Sequence, residues 1–202
     1  MTRVLSSNYR WTVVALLFFA TTINYIDRQV LGLLKPVLEK DLQWSETDYS
    51  NVVMAFSAAY AIGLLLFGKF VDFSGTKIGY AVSIVIWSIA AMAHAMAGTT
   101  MGFVMARGLL GLGEAGNFPA AIKSVAEWFP KRERSFATGI FNSGTNIGAM
   151  LAPIAVPWLL GVWGWQMAFI LTGALGFIWL IFWWRMYEIP ARHQRISQSE
   201  LA

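Results

Sequence analysis

The sequence contains no cysteine and has few charged residues. The absence of cysteine among 202 residues excludes disulfides, thiolate metal sites and thiol redox chemistry. Charged residues make up 13% of the chain, against about 25% in soluble domains. The formal charge of +4 comes from basic residues scattered in short loops, so no nucleic-acid partner is expected. No metal-binding cluster and no nucleotide fingerprint occurs, and neither a metal nor an organic cofactor is expected.

The sequence contains several long apolar runs. Hydrophobic residues account for 57% of the chain, and the mean hydropathy is +0.56, which is typical of a polytopic membrane protein. Six runs reach the roughly 20 residues that a helix needs to cross a bilayer. We therefore expect an all-α membrane protein, with Pro36 ending its first helix. The predicted helices cover residues 11–34, 50–67, 78–97, 100–122, 135–160 and 165–185, with Pro119, Pro153 and Pro157 inside the fourth and fifth.

The distribution of charge between loops predicts the orientation in the membrane. Basic residues concentrate on the side that holds both termini, which the positive-inside rule makes cytoplasmic. On the other side Lys35 and Lys40 are outweighed by four acidic residues between positions 39 and 48. Most tryptophans lie near predicted helix ends, as an interfacial belt requires. The basic residues of the cytoplasmic side are Arg3, Arg10, Lys69, Lys77, Lys123, Lys131, Arg132, Arg134, Arg185, Arg192 and Arg195.

Asp27 and Arg28 stand side by side inside the first apolar run, where each charge costs about 2.5–3.5 kcal/mol near a helix centre. Intramembrane charges usually face a protein interior or a wet cavity and serve a substrate or proton pathway. Arg28 is a candidate anion-binding group, Asp27 is a candidate proton acceptor, and Asn24 lies on the same side of the helix. The alternative is a structural ion pair that locks the first helix to a neighbour.

Glu114 is a second intramembrane charge, in the middle of the predicted fourth helix. Arg107 lies two turns earlier on nearly the same face. Desolvation disfavours the charged form of the Glu114 carboxyl, and a nearby cation favours it. Such a group can load and release a proton. The alternative is a carboxylate that hydrogen-bonds between helices for packing. The glycines around it are better explained by close helix contact than by phosphate binding; they are Gly108, Gly111, Gly113 and Gly116.

Other polar positions give weaker indications. Asp72 can cap the start of the third helix, and Lys77 can anchor at the headgroups, although this loop could also be a simple polar turn. Tyr60 can offer a hydroxyl to a sugar, but an isolated aromatic is more often packing. His94 is interpreted as structural or interfacial. A polar patch on the fifth helix comprises Asn142, Ser143, Thr145 and Asn146.

Several of these positions fall into recognisable motifs. Gly68-x-x-x-Asp72-x-x-Gly75-x-Lys77 resembles the loop between helices 2 and 3 of the major facilitator superfamily, and Arg107-x-x-x-Gly111 resembles its second motif. Within that superfamily the chain resembles the anion:cation symporter family, and most closely its hexuronate and galactonate transporters. The motifs that carry this narrower resemblance are Asn24-Tyr25-x-Asp27-Arg28, Glu114-Ala-Gly-Asn-Phe-Pro119, Trp128-Phe-Pro-x-x-Glu133-Arg134-Ser135, Gly75-Thr-Lys-Ile-Gly-Tyr80, Gly148-Ala-Met-Leu-Ala-Pro153, Trp165-Gln-Met-Ala-Phe169 and Pro190-Ala-Arg-His193.

The resemblance implies roles for the candidate residues. Arg28 would bind the substrate carboxylate, Tyr60 would line the sugar site, and Asp27 and Glu114 would form the proton-coupling pair. Asn24 would be a further substrate contact, and so would Thr145, at a position where galactonate carriers have glutamine. The residues of the conformational motifs would be Gly68, Asp72, Gly75, Lys77 and Arg107.

The family has twelve helices in two halves, with the substrate between them. Residues 1–186 would then be the N-terminal six-helix bundle, built from two inverted three-helix repeats, and residues 187–202 the start of the cytoplasmic central loop. The expected function is proton-coupled symport of a hexuronate or another sugar acid across the inner membrane, together with a C-terminal six-helix half. The alternatives are a half-transporter that dimerises and a non-transporting membrane scaffold. An intramembrane enzyme is disfavoured because no metal cluster or nucleophile motif is present.

Overall fold

The structure, a computed structural model, describes residues 9–190. Within them the chain is helical, without a strand. The predicted positions Arg3, Arg192 and Arg195, and most of the expected central loop, lie outside the described residues. The elements are α1 (Tyr9–Leu42), α2 (Glu46–Ser74), α3 (Thr76–Ala93), a 3-10 turn (His94–Met96), α4 (Thr100–Glu114), α5 (Asn117–Trp128), α6 (Arg134–Trp163) and α7 (Trp165–Met186).

These elements make the six expected crossings, but the fourth is broken. A continuous helix over 100–122 was expected; instead α4 ends at Glu114, α5 begins at Asn117, and the crossing continues to Trp128. At the break Gly116 packs so closely on Ser83 and Phe67 that a Cβ would clash with both. Four helices are long and apolar enough to span a membrane on their own, namely α2, α3 with its 3-10 turn, α6 and α7. The first and fourth crossings, which carry the internal charges, do not meet that criterion.

Two local predictions about helix ends were wrong. Pro36 does not end the first helix, because α1 continues through it to Leu42. Asp72 does not cap α3, because α2 extends to Ser74 and the capping position is Gly75, which makes no side-chain cap bond. Gly75 has φ +80°, a left-handed conformation that favours glycine and turns the chain between the two helices.

Packing between helices follows a two-fold pattern. The most extensive contacts pair α1 with α6, α2 with α4, and α3 with α7. Exchanging the first three crossings with the last three converts the α1–α6 pair into the α4–α2 pair, as two equivalent three-helix repeats require. The predicted close approach through glycine holds at Gly111, where a Cβ would lie 2.5 Å from the Phe56 carbonyl oxygen of α2. It fails at Gly108, which has no neighbour within 4 Å of the Cβ position.

The buried interior has two apolar clusters with polar residues between them. On α1 one cluster contains Val13 to Ala20 and the other contains Ile26 to Leu38. The stretch between them carries buried Thr21, Thr22 and Asn24, and buried Asp27 lies at its end. On α1 the buried polar side chains therefore lie between the two apolar clusters, near the middle of the helix.

The tryptophans do not form the simple interfacial belt that was predicted. Trp158, Trp163 and Trp184 are 51–60% exposed, as a belt requires. Four others that lie near helix ends, however, are buried inside the protein. Helix-end position therefore does not distinguish a membrane anchor from a packing residue; the buried four are Trp44, Trp128, Trp165 and Trp183.

Candidate functional site

An ion pair between Arg28 of α1 and Glu114 of α4 lies at the centre of the site. The Arg28 Nε donates to Glu114 Oε2 at 2.9 Å, and Nη2 lies 2.8 Å from the same oxygen. The Glu114 side chain is completely buried, whereas the Arg28 side chain is 27% exposed. The pair therefore joins the first and fourth crossings and has one sheltered and one accessible member.

Three aromatic rings surround the Arg28 guanidinium, and we call them the aromatic cage. Its carbon lies 4.9 Å from the ring centre of Tyr25, 5.0 Å from that of Phe56 and 4.7 Å from that of Tyr60. Cation–π contact of this kind contributes roughly 0.5–2 kcal/mol per ring. Tyr60 was expected at the site, but a role for Phe56 was missed. The available indication was its position one turn before Tyr60, on the face of α2 that meets Gly111.

Asp27 turns away from Arg28 into the bundle interior. It is 2% exposed, and neither carboxylate oxygen has a hydrogen-bond partner of normal geometry among the described residues. The Thr172 hydroxyl of α7 lies near enough to interact with it, and Glu114 and Arg107 act on its charge. Asn24, one turn earlier and fully buried, also has both amide atoms unpartnered in the described part. Thr172 was not anticipated, since nothing in its local sequence marks it.

Arg107 also points inward, but it is not ion-paired with Glu114 within the described residues. It is 3% exposed, and its guanidinium carbon lies 5.7 Å from the Phe56 ring centre. Phe56 thus contacts both arginines.

His94 proves structural rather than interfacial. It is fully buried, its Nδ1 lies 2.7 Å from the Ala90 carbonyl oxygen, and its ring stacks on Phe169.

The polar patch on α6 is separate from the ion pair. Thr145 is half-buried, and its hydroxyl donates to the Asn142 carbonyl oxygen at 2.8 Å. Asn142, Ser143 and Asn146 are exposed, while Gly144 on the opposite face packs against α1. Thr145 therefore uses its hydroxyl within its own helix, and it forms no hydrogen bond with Arg28 or Glu114 in the described part of the chain.

Charged residues of the 68–77 motif form ion pairs at the end of the bundle where α7 finishes. Asp72 pairs with Lys123 of α5 at 2.9 Å, and Lys77 pairs with Glu188 at 3.0 Å instead of standing free at the headgroups. Gly68 lies inside α2 without a close neighbour. These ion pairs tie α2 to α5, and α3 to the segment that follows α7.

Glu127 of α5 organises the same end of the bundle. Its two carboxylate oxygens accept hydrogen bonds from Thr76 at 2.7 Å and from Tyr187 at 2.6 Å. Burial, reinforced by the charge of Glu127, raises the pKa of the Tyr187 hydroxyl well above its ordinary value, so the hydroxyl stays protonated and donates. One carboxylate thus connects α3, α5 and the chain after α7.

Six crossings around a buried ion pair define a polytopic membrane protein with a polar interior. The sequence profile of the Major Facilitator Superfamily matches residues 17–201. The chain belongs to this superfamily, which agrees with the motifs and with the all-helical fold.

Individual relatives agree with this assignment. The chain is 41% identical to a hexuronate transporter of Escherichia coli strain K12, over 95% of the chain and 44% of that protein. It is 38% identical to a galacturonate transporter of Dickeya chrysanthemi, over 95% of the chain and 55% of that protein. The chain thus spans about half the length of these relatives. They are transporters and not enzymes.

Solved structures show the same fold. A bacterial homologue of the human lysosomal transporter Spinster, in an inward-facing and unoccupied conformation, superposes with a TM-score of 0.78 at 22% identity, over 93% of this chain and 45% of that one. The proton:xylose symporter XylE gives a TM-score of 0.74 at 17% identity, over 92% and 46% of the two chains. In each case the six crossings match slightly less than half of the larger protein.

Proposed function

We propose that this chain is the N-terminal half of a proton-coupled symporter for hexuronates or related sugar acids in the inner membrane. The observation that carries the proposal is the Arg28–Glu114 ion pair inside the aromatic cage, with Arg28 accessible and Glu114 buried. The names of the relatives, which include hexuronate and galacturonate transporters, support the substrate class.

Arg28 is the proposed anion-binding group. Its guanidinium presents a planar fork of donors that matches a carboxylate, and its partial exposure lets a substrate reach it. The cage rings hold the guanidinium in place, and Tyr60 adds a hydroxyl and a flat face for a sugar ring. Asn24 and Thr145 are proposed as further polar contacts of the substrate. Substrate binding or a change of conformation would have to bring these two side chains to the site.

Glu114 is the proposed proton acceptor that couples transport to the proton gradient. If the substrate carboxylate takes over Arg28, Glu114 loses its cation while it remains buried. A buried carboxylate that loses its partner costs about 3–5 kcal/mol, so uptake of a proton by Glu114 favours release of Arg28 to the substrate. The substrate anion and the proton then bind together, and the net charge of the site changes little. Asp27, which has Thr172 and Arg107 nearby, is proposed as the second proton site.

The remaining motif residues are proposed to control conformation. The ion pairs of Asp72 with Lys123 and of Lys77 with Glu188 hold helices together at one end of the bundle. Their rupture would allow that end to open. Buried Arg107, which packs on Phe56, would transmit changes at the ion pair to α2.

The other half of the carrier is proposed to cover α2 and α6. These are the least buried of the membrane-spanning helices, and they expose large apolar side chains such as Leu65 (75%) and Ile154 (72%). A second six-helix bundle, or a second copy of this chain in a dimer, would bury them. Both termini are proposed to lie in the cytoplasm, because the basic loops on their side follow the positive-inside rule.

Uptake by the full-length carrier in proteoliposomes tests the mechanism. Glu114→Gln should abolish accumulation of labelled glucuronate driven by a proton gradient while exchange of substrate for substrate persists. Arg28→Lys should raise KM about tenfold or more, because one hydrogen bond to a charged group contributes about 1.5–3 kcal/mol. Lys35→Gln, which removes the ion pairs of Lys35 with Glu39 and Glu46 away from the site, is the matched control and should leave both activities intact. Accumulation at the normal level by Glu114→Gln would disprove the coupling role.

A further inference from the structure

An apolar groove runs along the outside of the bundle between α1 and α7. It has a volume of about 380 Å³, and its floor is the buried ring of Trp179, whose Nε1 donates to the Leu16 carbonyl oxygen at 2.9 Å. Phe19 and Phe182 form its rims and are 56% and 53% exposed. The groove therefore faces away from the ion pair and opens towards the membrane.

The length of the groove matches one leaflet of a bilayer. Its α1 wall runs from Thr12 to Ile23 and its α7 wall from Leu175 to Met186, so each wall is about 16 Å long at 1.5 Å per residue. Half of a hydrocarbon core is about 15 Å. A volume of about 380 Å³ over that length gives a mean cross-section of about 24 Å². A single acyl chain can enter a groove of this cross-section.

The end of the groove at Thr12 and Met186 lies at the first turn of α1 and the last turn of α7. Trp184, close to this end, is 57% exposed, as a tryptophan at the membrane surface is. Arg185 is exposed in the last turn of α7, next to Met186, and no carboxylate within the described residues forms an ion pair with it. Nearby Arg10, in contrast, is neutralised by Glu133 at 3.2 Å.

We propose that this groove is a binding site for an anionic phospholipid of the leaflet in which α1 begins and α7 ends. One acyl chain occupies the groove from Met186 to Leu175, and the headgroup phosphate lies against Arg185. The positive charge at the mouth selects an anionic lipid over a zwitterionic one, because a basic side chain at the membrane surface contributes about 1 kcal/mol towards anionic lipid. The site is independent of the proposed transport function.

Native mass spectrometry of the full-length protein, released from detergent, tests this site. The protein is equilibrated with phosphatidylglycerol and phosphatidylcholine that have identical acyl chains, and the retained lipids are counted. Wild type should retain phosphatidylglycerol about fivefold more strongly, as 1 kcal/mol implies. Arg185→Gln should remove most of that preference. Ala15→Trp, which fills the groove from an exposed position, should reduce retention of both lipids.

Two matched variants separate this site from general effects. Lys69→Gln removes another exposed cation near the same end of the bundle, and Ile89→Trp adds a tryptophan at an exposed position of α3. Both should behave as wild type. Equal retention of the two lipids by wild type would overturn the proposal, as would an effect of the control variants equal to that of Arg185→Gln and Ala15→Trp. If Ala15→Trp does not fold, the comparison of Arg185→Gln with Lys69→Gln still decides the headgroup contact.

Discussion

Replacement of Gly111 by alanine should push α2 and α4 apart and disturb the aromatic cage. The new Cβ would lie 2.5 Å from the Phe56 carbonyl oxygen and 3.1 Å from the Tyr60 nitrogen, both of which are backbone atoms that cannot rotate away. Those two residues carry rings that contact Arg28. One substitution in α4 therefore affects packing and the candidate site together.

Gly108→Ala is a control on the same helix. Its Cβ would meet nothing within 4 Å, so this change only adds helix propensity, about 1 kcal/mol in favour of the folded state. Gly111→Ala gains the same propensity and adds an overpacking cost of about 1–3 kcal/mol. The difference in unfolding free energy between the two variants therefore isolates the packing cost.

Equilibrium unfolding of the full-length protein in mixed detergent micelles measures this difference, and substrate binding is measured on the same samples. Gly111→Ala should be less stable than Gly108→Ala by about 1–3 kcal/mol, and only Gly111→Ala should weaken glucuronate binding. Equal stability of the two variants would refute the close approach of α2 and α4. A loss of stability without loss of binding would show that the cage does not depend on this contact.

Three further predictions concern separate parts of the molecule. Phe56→Leu should raise KM for the sugar acid several-fold without changing kcat, because it removes one cage ring and keeps the apolar volume. Glu127→Gln should destabilise the protein by about 1.5–3 kcal/mol by weakening two hydrogen bonds to a charged acceptor, whereas Asp72→Asn at an exposed ion pair should cost less than about 1 kcal/mol in the same unfolding assay. Single cysteines at Thr99 and Lys131, introduced into a chain that has none, should react with an impermeant maleimide from opposite sides of the membrane.

The sequence was sufficient for the number of crossings but not for their internal breaks. Apolar runs report burial in lipid, so all six crossings were found. The break between Glu114 and Asn117 was missed because a glycine that permits close packing and a glycine that permits a helix to end look alike in sequence. Pro36 was taken as a terminator, although a proline inside a membrane helix is tolerated when neighbours satisfy the freed carbonyl.

For the candidate site, the sequence identified the charges but not their partners. Charge inside an apolar run indicated that Arg28 and Glu114 face the interior, but they are 86 positions apart. Which cation meets which carboxylate depends on how α1 and α4 are rotated. Arg107, two turns from Glu114 on one helix, looked like the nearer partner. The structure instead joins Glu114 to Arg28 and leaves Arg107 over Phe56.

The energetics of the Arg28–Glu114 pair distinguish a functional role from a structural one. Replacing a buried ion pair by apolar residues is often neutral or stabilising, whereas removing one partner costs about 3–5 kcal/mol. Arg28→Leu should therefore destabilise the protein strongly because it strands fully buried Glu114. Glu114→Leu should cost less, since Arg28 is 27% exposed and keeps its cage. The double variant should recover wild-type stability within about 1 kcal/mol.

A double-mutant cycle in the unfolding assay measures the coupling, with Lys35 and Glu46 as the reference pair. That pair is 28% and 81% exposed, so its coupling should be about 0–1 kcal/mol. If the Arg28→Leu/Glu114→Leu protein is as stable as wild type but inactive in uptake, the ion pair serves transport. If the double variant unfolds like Arg28→Leu alone, the pair is a structural link between the first and fourth crossings, and the coupling role proposed for Glu114 loses its physical basis.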